Sequence, residues 1–386
     1  MKNFEFYNPT RIVFGKGTIE RLQSLIPKSA IILMCYGGGS IKHNGVYTQV
    51  KDAIGNWEVY EFGGIEPNPD FDTLIKGVNL GRQKGVDFIL AVGGGSVIDG
   101  SKFIASATPY LDGEAWDIVS GEKNLNKGDV LPIGTVLTLP ATGSEMNGVS
   151  VISRRATQEK LAFRSQEIYP TFSILDPTIS YSLPVKQVRN GVVDAYIHVL
   201  EQYATYPANG RIQDRYAEGI LLTLQEIGEK ALQIPPDYEM RANLMWAASN
   251  ALNKLISTGV PEDWATHMIG HELTAFYGLD HAESLAVVLP HLWWHQREAK
   301  ADKLIQYAQR IWGLSGEGED VIRKAIDKMV SFFNRLNMPT RLTDYHIDPD
   351  EAAERVMARC EERGRIFGEH GDITPDKVAA ILRMSR

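Results

Sequence analysis

The sequence predicts an α/β N-terminal domain with a parallel sheet, followed by an all-α C-terminal domain. Three observations predict it. Short continuous apolar runs alternate with helical stretches through the first half. Glycine-rich loops follow two of those runs directly. Beyond "DPTISYSLP" (176–184), apolar residues recur at helical spacing almost to the end. The expected domains are 1–180 and 181–386.

The elements follow in order. "MKNFEFYNPTRIVFGKG" alternates like a strand pair and has no apolar stretch of a secretory leader. "AIILMCY" (30–36) is a continuous apolar run, the pattern of a strand buried on both faces. A helix is expected from about Val46 to Ile54, then a strand at "WEVYEF" (57–62). Asp70 reads as the N-cap of a helix through Lys84. "DFILAVGGG" (87–95) is the third buried strand and "SVIDGSKFIASA" the helix after it. "VLPIGTVLTLP" (130–140) is the fourth strand; "VSVISR", "KLAFRS" and "TFSILD" are further ones. This rhythm is that of βα units on a parallel sheet. "LPVKQVRNGVVDAYIHVLEQYAT", "RIQDRYAEGILLTLQEIGEKAL" and "ADKLIQYAQRIWGL" are helical patterns of the second half.

Composition narrows the function classes. A net charge of −8 argues against a nucleic-acid or anionic-membrane surface. Two cysteines, Cys35 and Cys360, exclude a disulfide framework and any multi-cysteine metal site. They read as free thiols in a reducing compartment. No stretch approaches the ~20 apolar residues of a membrane span. A soluble cytoplasmic protein is expected.

The two loops are "GGGS" (37–40) and "GGGSVIDG" (93–100). Glycine lets the backbone approach a ligand, and a helix N-terminus offers free N–H groups to an anion. Ligands of open α/β sheets bind at the carboxyl ends of strands. Two such loops favour a dinucleotide site over ordinary tight turns, although Ile98 stands where a G-x-G-x-x-G motif has its last glycine. Gly94, Gly95 and Ser96 are placed on the pyrophosphate. Asp99, one turn on, reads as a helix cap or a hydrogen-bond partner of sugar or amide. In the first loop, Gly38, Gly39, Ser40 and the nearby Lys42 include no carboxylate to repel a 2′-phosphate. NADP(H) is therefore favoured over NAD(H). "TLPATGSE" (138–145) is a third small-residue loop; Thr138 and Thr142 are placed at the nicotinamide end.

Asp194 and His198 stand four apart, as do His267 and His271, and His281 follows a helix break at "YGLD". Positions i and i+4 share one helix face. Carboxylate and imidazole together suit zinc or ferrous iron. Spacing alone does not separate His267 from His271. Glu272 follows the histidine pair instead of standing between its members, so "HMIGHE" is not a zincin motif. His291, His295, His346 and His370 read as structural.

These segments resemble a known family. GGGS-x-x-D after a strand, D-x-x-x-H in "NGVVDAYIHVLEQYAT", H-x-x-x-H…H in "HMIGHELTAFYGLDHAESLAVVLP", and "FGGIEPNP" are similar to the iron-containing (group III) alcohol dehydrogenases, on the bacterial NADPH-dependent aldehyde reductase or butanol dehydrogenase branch. The resemblance implies a Rossmann-like first domain, a helical second one and a dehydroquinate synthase-like architecture with a deep cleft. It implies metal ligation by Asp194, His198, His267 and His281, and places His271 near the nicotinamide. It adds cofactor contacts at Asn68, Asn147 and Lys160 to Thr138 and Thr142. It implies a homodimer. Ala282 departs from the family's usual glycine after the last metal histidine, a change at the site edge.

The expected function is hydride transfer between NADP(H) and a small aldehyde or primary alcohol, with Fe2+ or Zn2+ bound and His271 as the candidate proton relay. Two other readings are weighed. A polyol dehydrogenase of the glycerol or propanediol type uses NAD, against which the first loop counts. A non-catalytic dinucleotide or metal sensor would not need all four ligands and both loops.

Overall fold

The computed structural model describes Met1–Arg386, which form two compact units. The α/β unit is Tyr7–Pro184 with Pro236–Ser249; the helical unit is Met1–Phe6, Val185–Pro235 and Asn250–Arg386.

The α/β unit holds eight strands: β1 (Arg11–Phe14), β2 (Ile31–Tyr36), β3 (Glu58–Phe62), β4 (Phe88–Gly93), β5 (Ile133–Leu137), β6 (Val149–Arg154), β7 (Glu159–Arg164) and β8 (Phe172–Leu175). Six form one sheet in the order β1-β8-β5-β4-β2-β3, and every pairing in it is parallel. β6 and β7 form a separate antiparallel hairpin. Its helices are α1 (Leu22–Leu25), α2 (Val46–Ala53), α3 (Phe71–Lys84), α4 (Gly95–Ala107) and α5 (Trp116–Ser120).

Alternation along the strands builds two cores. Leu33 and Cys35 of β2, with Ile89 and Ala91 of β4, face a cluster containing Leu74 and Ile104. Ile32, Met34, Tyr36, Phe88, Leu90 and Val92 face the opposite cluster with Val46, Val50 and Ile54. A strand sends successive side chains to opposite faces, so covering both faces requires a continuous apolar run. That is why β2 and β4 read as they do. The Cys35 thiol lies inside this core, where burial pushes its pKa up to about 12; it is a packing group, as the free-thiol reading expects.

The order of strands locates the ligand end. From β2 the chain steps outward to β3, then returns to β4 on the other side of β2. The crevice between the carboxyl ends of β2 and β4 is a topological switch point. Both glycine loops leave there, since Tyr36 is paired with Val92.

The helical unit contains α6 (Val185–Tyr203), α7 (Arg211–Ala231), α9 (Ala265–Tyr277), α10 (His281–His295), α11 (Ala301–Trp312), α12 (Gly318–Arg335), α13 (Pro349–Glu362) and α14 (Pro375–Arg383), while α8 (Tyr238–Ala251) falls mostly in the α/β unit. α6 is buried on every side from Gly191 to Tyr203, as a central helix should be. No helix is long and apolar enough to cross a membrane.

One expectation needs correction. The N-terminal stretch is not a strand pair: only Arg11–Phe14 is a strand, and it pairs in parallel with β8. Alternation shows that a segment can be a strand and says nothing of its partner. The first residues instead join the helical unit, where Lys2 N–H donates to the Gly259 carbonyl at 2.8 Å. The compact units interleave along the chain. Most of α8 belongs by its contacts with the α/β unit, where Met245 enters the core and Ser249 donates to Glu145.

Candidate metal centre and phosphate cradle

α6 presents Asp194 and His198 one turn apart on one face. α9 presents His267 and ends at Tyr277, because Gly278 takes φ 72°, a left-handed conformation that glycine adopts without strain. Asp280 then caps α10 in a capping box with Glu283, which fixes His281 as the first residue of the new helix. The break at "YGLD" thus returns a third imidazole to the first two.

The ligand atoms of Asp194, His198, His267 and His281 all lie within 4.8 Å of one another. Asp194 Oδ1 is 3.8 Å from His198 Nε2 and 3.5 Å from His281 Nε2. Ligands at ordinary zinc or iron distances in a tetrahedral array stand about 3.4 Å apart. The imidazoles of His198 and His267 stack with centroids 4.8 Å apart. His198 Nδ1 and His267 Nε2 are buried with no hydrogen-bond partner. Buried polar atoms are normally satisfied, so the orphaned His267 Nε2, in a cluster with two further imidazoles and a buried carboxylate, fits a metal-binding set. Burial, with His267 and Lys254 nearby, pushes the His198 pKa well below its ordinary value. The neutral form that results is the one that ligates.

Trp264, just before α9, holds φ 66°, an outlier for a bulky residue. Its indole is 4.9 Å from the His267 ring and donates to Glu262 at 2.9 Å. That backbone conformation sets the entry of the helix that carries His267 and His271. His271 lies one turn beyond His267, buried, with its ring centroid 5.5 Å from that of His281. It is not among the four clustered donors.

In the α/β unit, Gly94 precedes α4, and Gly95 and Ser96 open it. A Cβ on Gly95 would collide with the Thr142 side chain, so only glycine lets the "TLPATGSE" loop close over this helix start. Thr138 N–H donates to the Gly93 carbonyl at 3.0 Å, which puts it beside the same end of β4. Asn68, at φ 54°, accepts from Lys160 Nζ at 2.8 Å, and its N–H donates to Ser96 Oγ at 3.3 Å. Gly94, Gly95, Ser96, Asn68, Lys160, Thr138 and Thr142 are therefore neighbours.

Asp99 and Asn147 are placed otherwise than as simple contacts. Asp99 accepts from Ser144 Oγ at 2.5 Å and from Val151 N–H at 3.1 Å. Asn147 donates to the Gly143 carbonyl and accepts from Lys102 and from Val149 N–H. Both hold the loop in shape. Their hub is Lys102, fully buried, whose ammonium donates to the carbonyls of Ser144, Asn147 and Val149 and to Ser144 Oγ.

Gly38, Gly39 and Ser40 follow β2 as expected, but the charge beside them differs from the sequence reading. Glu61 of β3 brings a carboxylate to 3.9 Å from Lys42 Nζ. Tyr47 donates to it at 2.7 Å and Lys51 at 3.3 Å. Burial works to raise its pKa, yet these hydrogen bonds hold it below the usual range. Glu61 is thus ionised between two lysines, and this corner still carries a net positive charge.

Sequence reasoning missed Glu61, Lys102, Glu145 and Glu201. Glu201 stands three residues after His198, on the face that carries the ligands, and could have been found by extending D-x-x-x-H one turn. Lys102 could have been noticed as a lysine inside an apolar helix. Glu61 had no local signal.

Comparison with known proteins agrees with this geometry. Residues 9–177 match the iron-containing alcohol dehydrogenase family and residues 189–385 its C-terminal region. The chain is 52% identical to the NADPH-dependent aldehyde reductase YqhD of Escherichia coli, covering all of both chains. It is 40% identical to the probable NADH-dependent butanol dehydrogenase 1 of Bacillus subtilis, again over the full length of both. The crystal structure of E. coli YqhD superposes with a TM-score of 0.97 at 51% identity, covering 100% of this chain and 99% of the other. With both halves matched and the ligand-type residues gathered, the chain belongs to the iron-containing alcohol dehydrogenase family.

Proposed function

We propose that this protein is a metal-dependent, NADPH-linked reductase of small aldehydes that also runs in reverse on primary alcohols. The observation that carries the reading is the Asp194, His198, His267 and His281 cluster, in which His267 Nε2 is buried without a hydrogen-bond partner. These four residues hold the divalent metal, Fe2+ or Zn2+. When bound, the metal polarises a carbonyl oxygen and stabilises charge developing on it, and the nicotinamide supplies the hydride.

The chain's own groups do the rest. The N–H groups of Gly95 and Ser96 at the start of α4 hold the pyrophosphate. Thr138 and Thr142 border the nicotinamide end. Ser40 and Lys42, with Lys51 behind Glu61, hold the 2′-phosphate. The E. coli relative is named an NADPH-dependent reductase and the B. subtilis one a probable NADH-dependent dehydrogenase. Relatives of both kinds exist, so this corner decides for NADPH. His271 moves the proton that the product oxygen needs. A homodimer and a cytoplasmic location complete the reading.

The test is one assay on purified protein with NADPH against NADH, a panel of short aldehydes, and metal measured on the same sample. Butanal is expected to be reduced, with kcat/KM for NADPH at least about tenfold above NADH, a difference of ~1.4 kcal/mol. No NADPH oxidation with any aldehyde would favour the sensor reading, and preference for NADH with glycerol the polyol reading.

His271→Ala is expected to keep its metal and lose roughly 10²-fold in kcat, the lower range for removing a general acid. Metal analysis beside steady-state kinetics checks it. Loss of the metal would make His271 a ligand.

A further inference from the structure

We infer that Glu201 is a positioning residue for the metal, acting through His267; the inference rests on the four-residue ligand set above. Glu201 is 1% exposed and lies on α6, seven residues after Asp194 and three after His198. Its Oε2 accepts from His267 Nδ1 at 3.0 Å and from the His267 main-chain N–H at 3.1 Å. A carboxylate has no proton to give, so Nδ1 is the donor. The ring is thereby held with the lone pair on Nε2, the nitrogen that has no hydrogen-bond partner. Metal-ligating histidines commonly give their other N–H to a carboxylate, which fixes the tautomer and ring orientation and raises ligand basicity.

The frame behind Glu201 is tied by hydrogen bonds and ion pairs. Its carbonyl accepts from Asp263 N–H at 2.9 Å, and Asp263 Oδ1 accepts from Ala265 N–H at 3.3 Å, where α9 begins. Buried Lys300 lies 3.0 Å from Asp263 and 2.6 Å from Glu369. Glu201 thus couples the helix carrying Asp194 and His198 to the helix carrying His267. Its bond to the His267 main chain also satisfies a free N–H in the first turn of α9. A role confined to that bond would affect stability and leave metal affinity alone, and this separates the two accounts.

The experiment uses the full-length protein, stripped with a chelator and titrated with Co2+. Glu201→Gln keeps the shape and an acceptor for the main-chain N–H but loses the charge. It is expected to bind Co2+ about 10–100-fold more weakly, with the metal-free protein melting close to metal-free wild type. His267→Ala is run beside it. If His267→Ala loses Co2+ while Glu201→Gln stays within about twofold of wild type, the role of Glu201 is refuted and the ligand set stands. If His267→Ala binds Co2+ as wild type does, the ligand set itself is wrong. If Glu201→Gln does not fold, a crystal structure of Co2+-loaded wild type decides. Metal on His267 Nε2 with Nδ1 on Glu201 supports the role; metal on Nδ1, or on Glu201 itself, overturns it.

Discussion

His267→Ala is expected to lose its metal on dialysis and to fall by about 10³-fold or more in aldehyde reduction. The magnitude follows from two steps. Metal stabilisation of developing oxygen charge supplies several kcal/mol, and each ~1.4 kcal/mol is tenfold in rate. Losing this ligand removes the imidazole that α9 contributes and leaves three donors, two of them from α6. The comparison with His271→Ala is decisive because the two residues share a helix face and a sequence motif. One variant should lose metal and rate together, the other rate alone. A thermal scan adds a readout independent of turnover. Metal that binds only the folded chain raises the melting temperature with its concentration. Wild type and His271→Ala should show that rise, and His267→Ala should not. Stoichiometric metal with near-normal rate in His267→Ala would refute the ligand assignment.

The gathering of these ligands was legible in sequence only so far as it is local. The pairs Asp194/His198 and His267/His271 lie on helix faces, and period alone places them. The capped break at Gly278 and Asp280 is equally local, and it explains how His281 returns. What period could not supply is how α6 meets α9 and α10, where α10 packs against each of the other two. Glu201 is a mixed case: its place on the ligand face of α6 is local, but its partner His267 is 66 residues away. Glu61 is the corresponding case in the sheet. The glycine loop after β2 was visible, but the carboxylate beside it comes from the neighbouring strand. Register with β2 sets that proximity, since Met34 pairs with Glu61. The strands of the central sheet were legible because burial on both faces leaves an unbroken apolar run. The N-terminal segment was misread because alternation carries no information about the distant β8.

Lys102→Met is expected to destabilise the α/β unit by about 3–5 kcal/mol, the range for removing one partner from a buried charged network. The reason is the number of groups that depend on one ammonium. Three main-chain carbonyls, those of Ser144, Asn147 and Val149, accept from it. Ser144 Oγ accepts from it at 2.9 Å and donates onward to Asp99. A methionine fills much the same volume and donates nothing, so these acceptors stay buried and unpaired. Asp99 and Glu145 would also lose the nearest positive charge; burial already pushes both their carboxyls up from the ordinary range. For a unit of this size the loss corresponds to a melting point lower by on the order of 10 °C. The pH dependence gives a second check. Burial lowers the Lys102 pKa from an ordinary 10.5 to about 8. Between those values the unfolded chain holds the proton and the folded chain does not, so stability from this group rises as pH climbs through that window. The gap between wild type and Lys102→Met in chemical unfolding should therefore widen from pH 7.5 to pH 10. A constant gap would mean that Lys102 keeps its proton when folded, and a gap near zero that the loop is held by other contacts. Activity should follow stability at the cofactor end first. The "TLPATGSE" loop closes over Gly95 and is anchored through Ser144 and Asn147, so KM for NADPH is expected to rise before kcat falls.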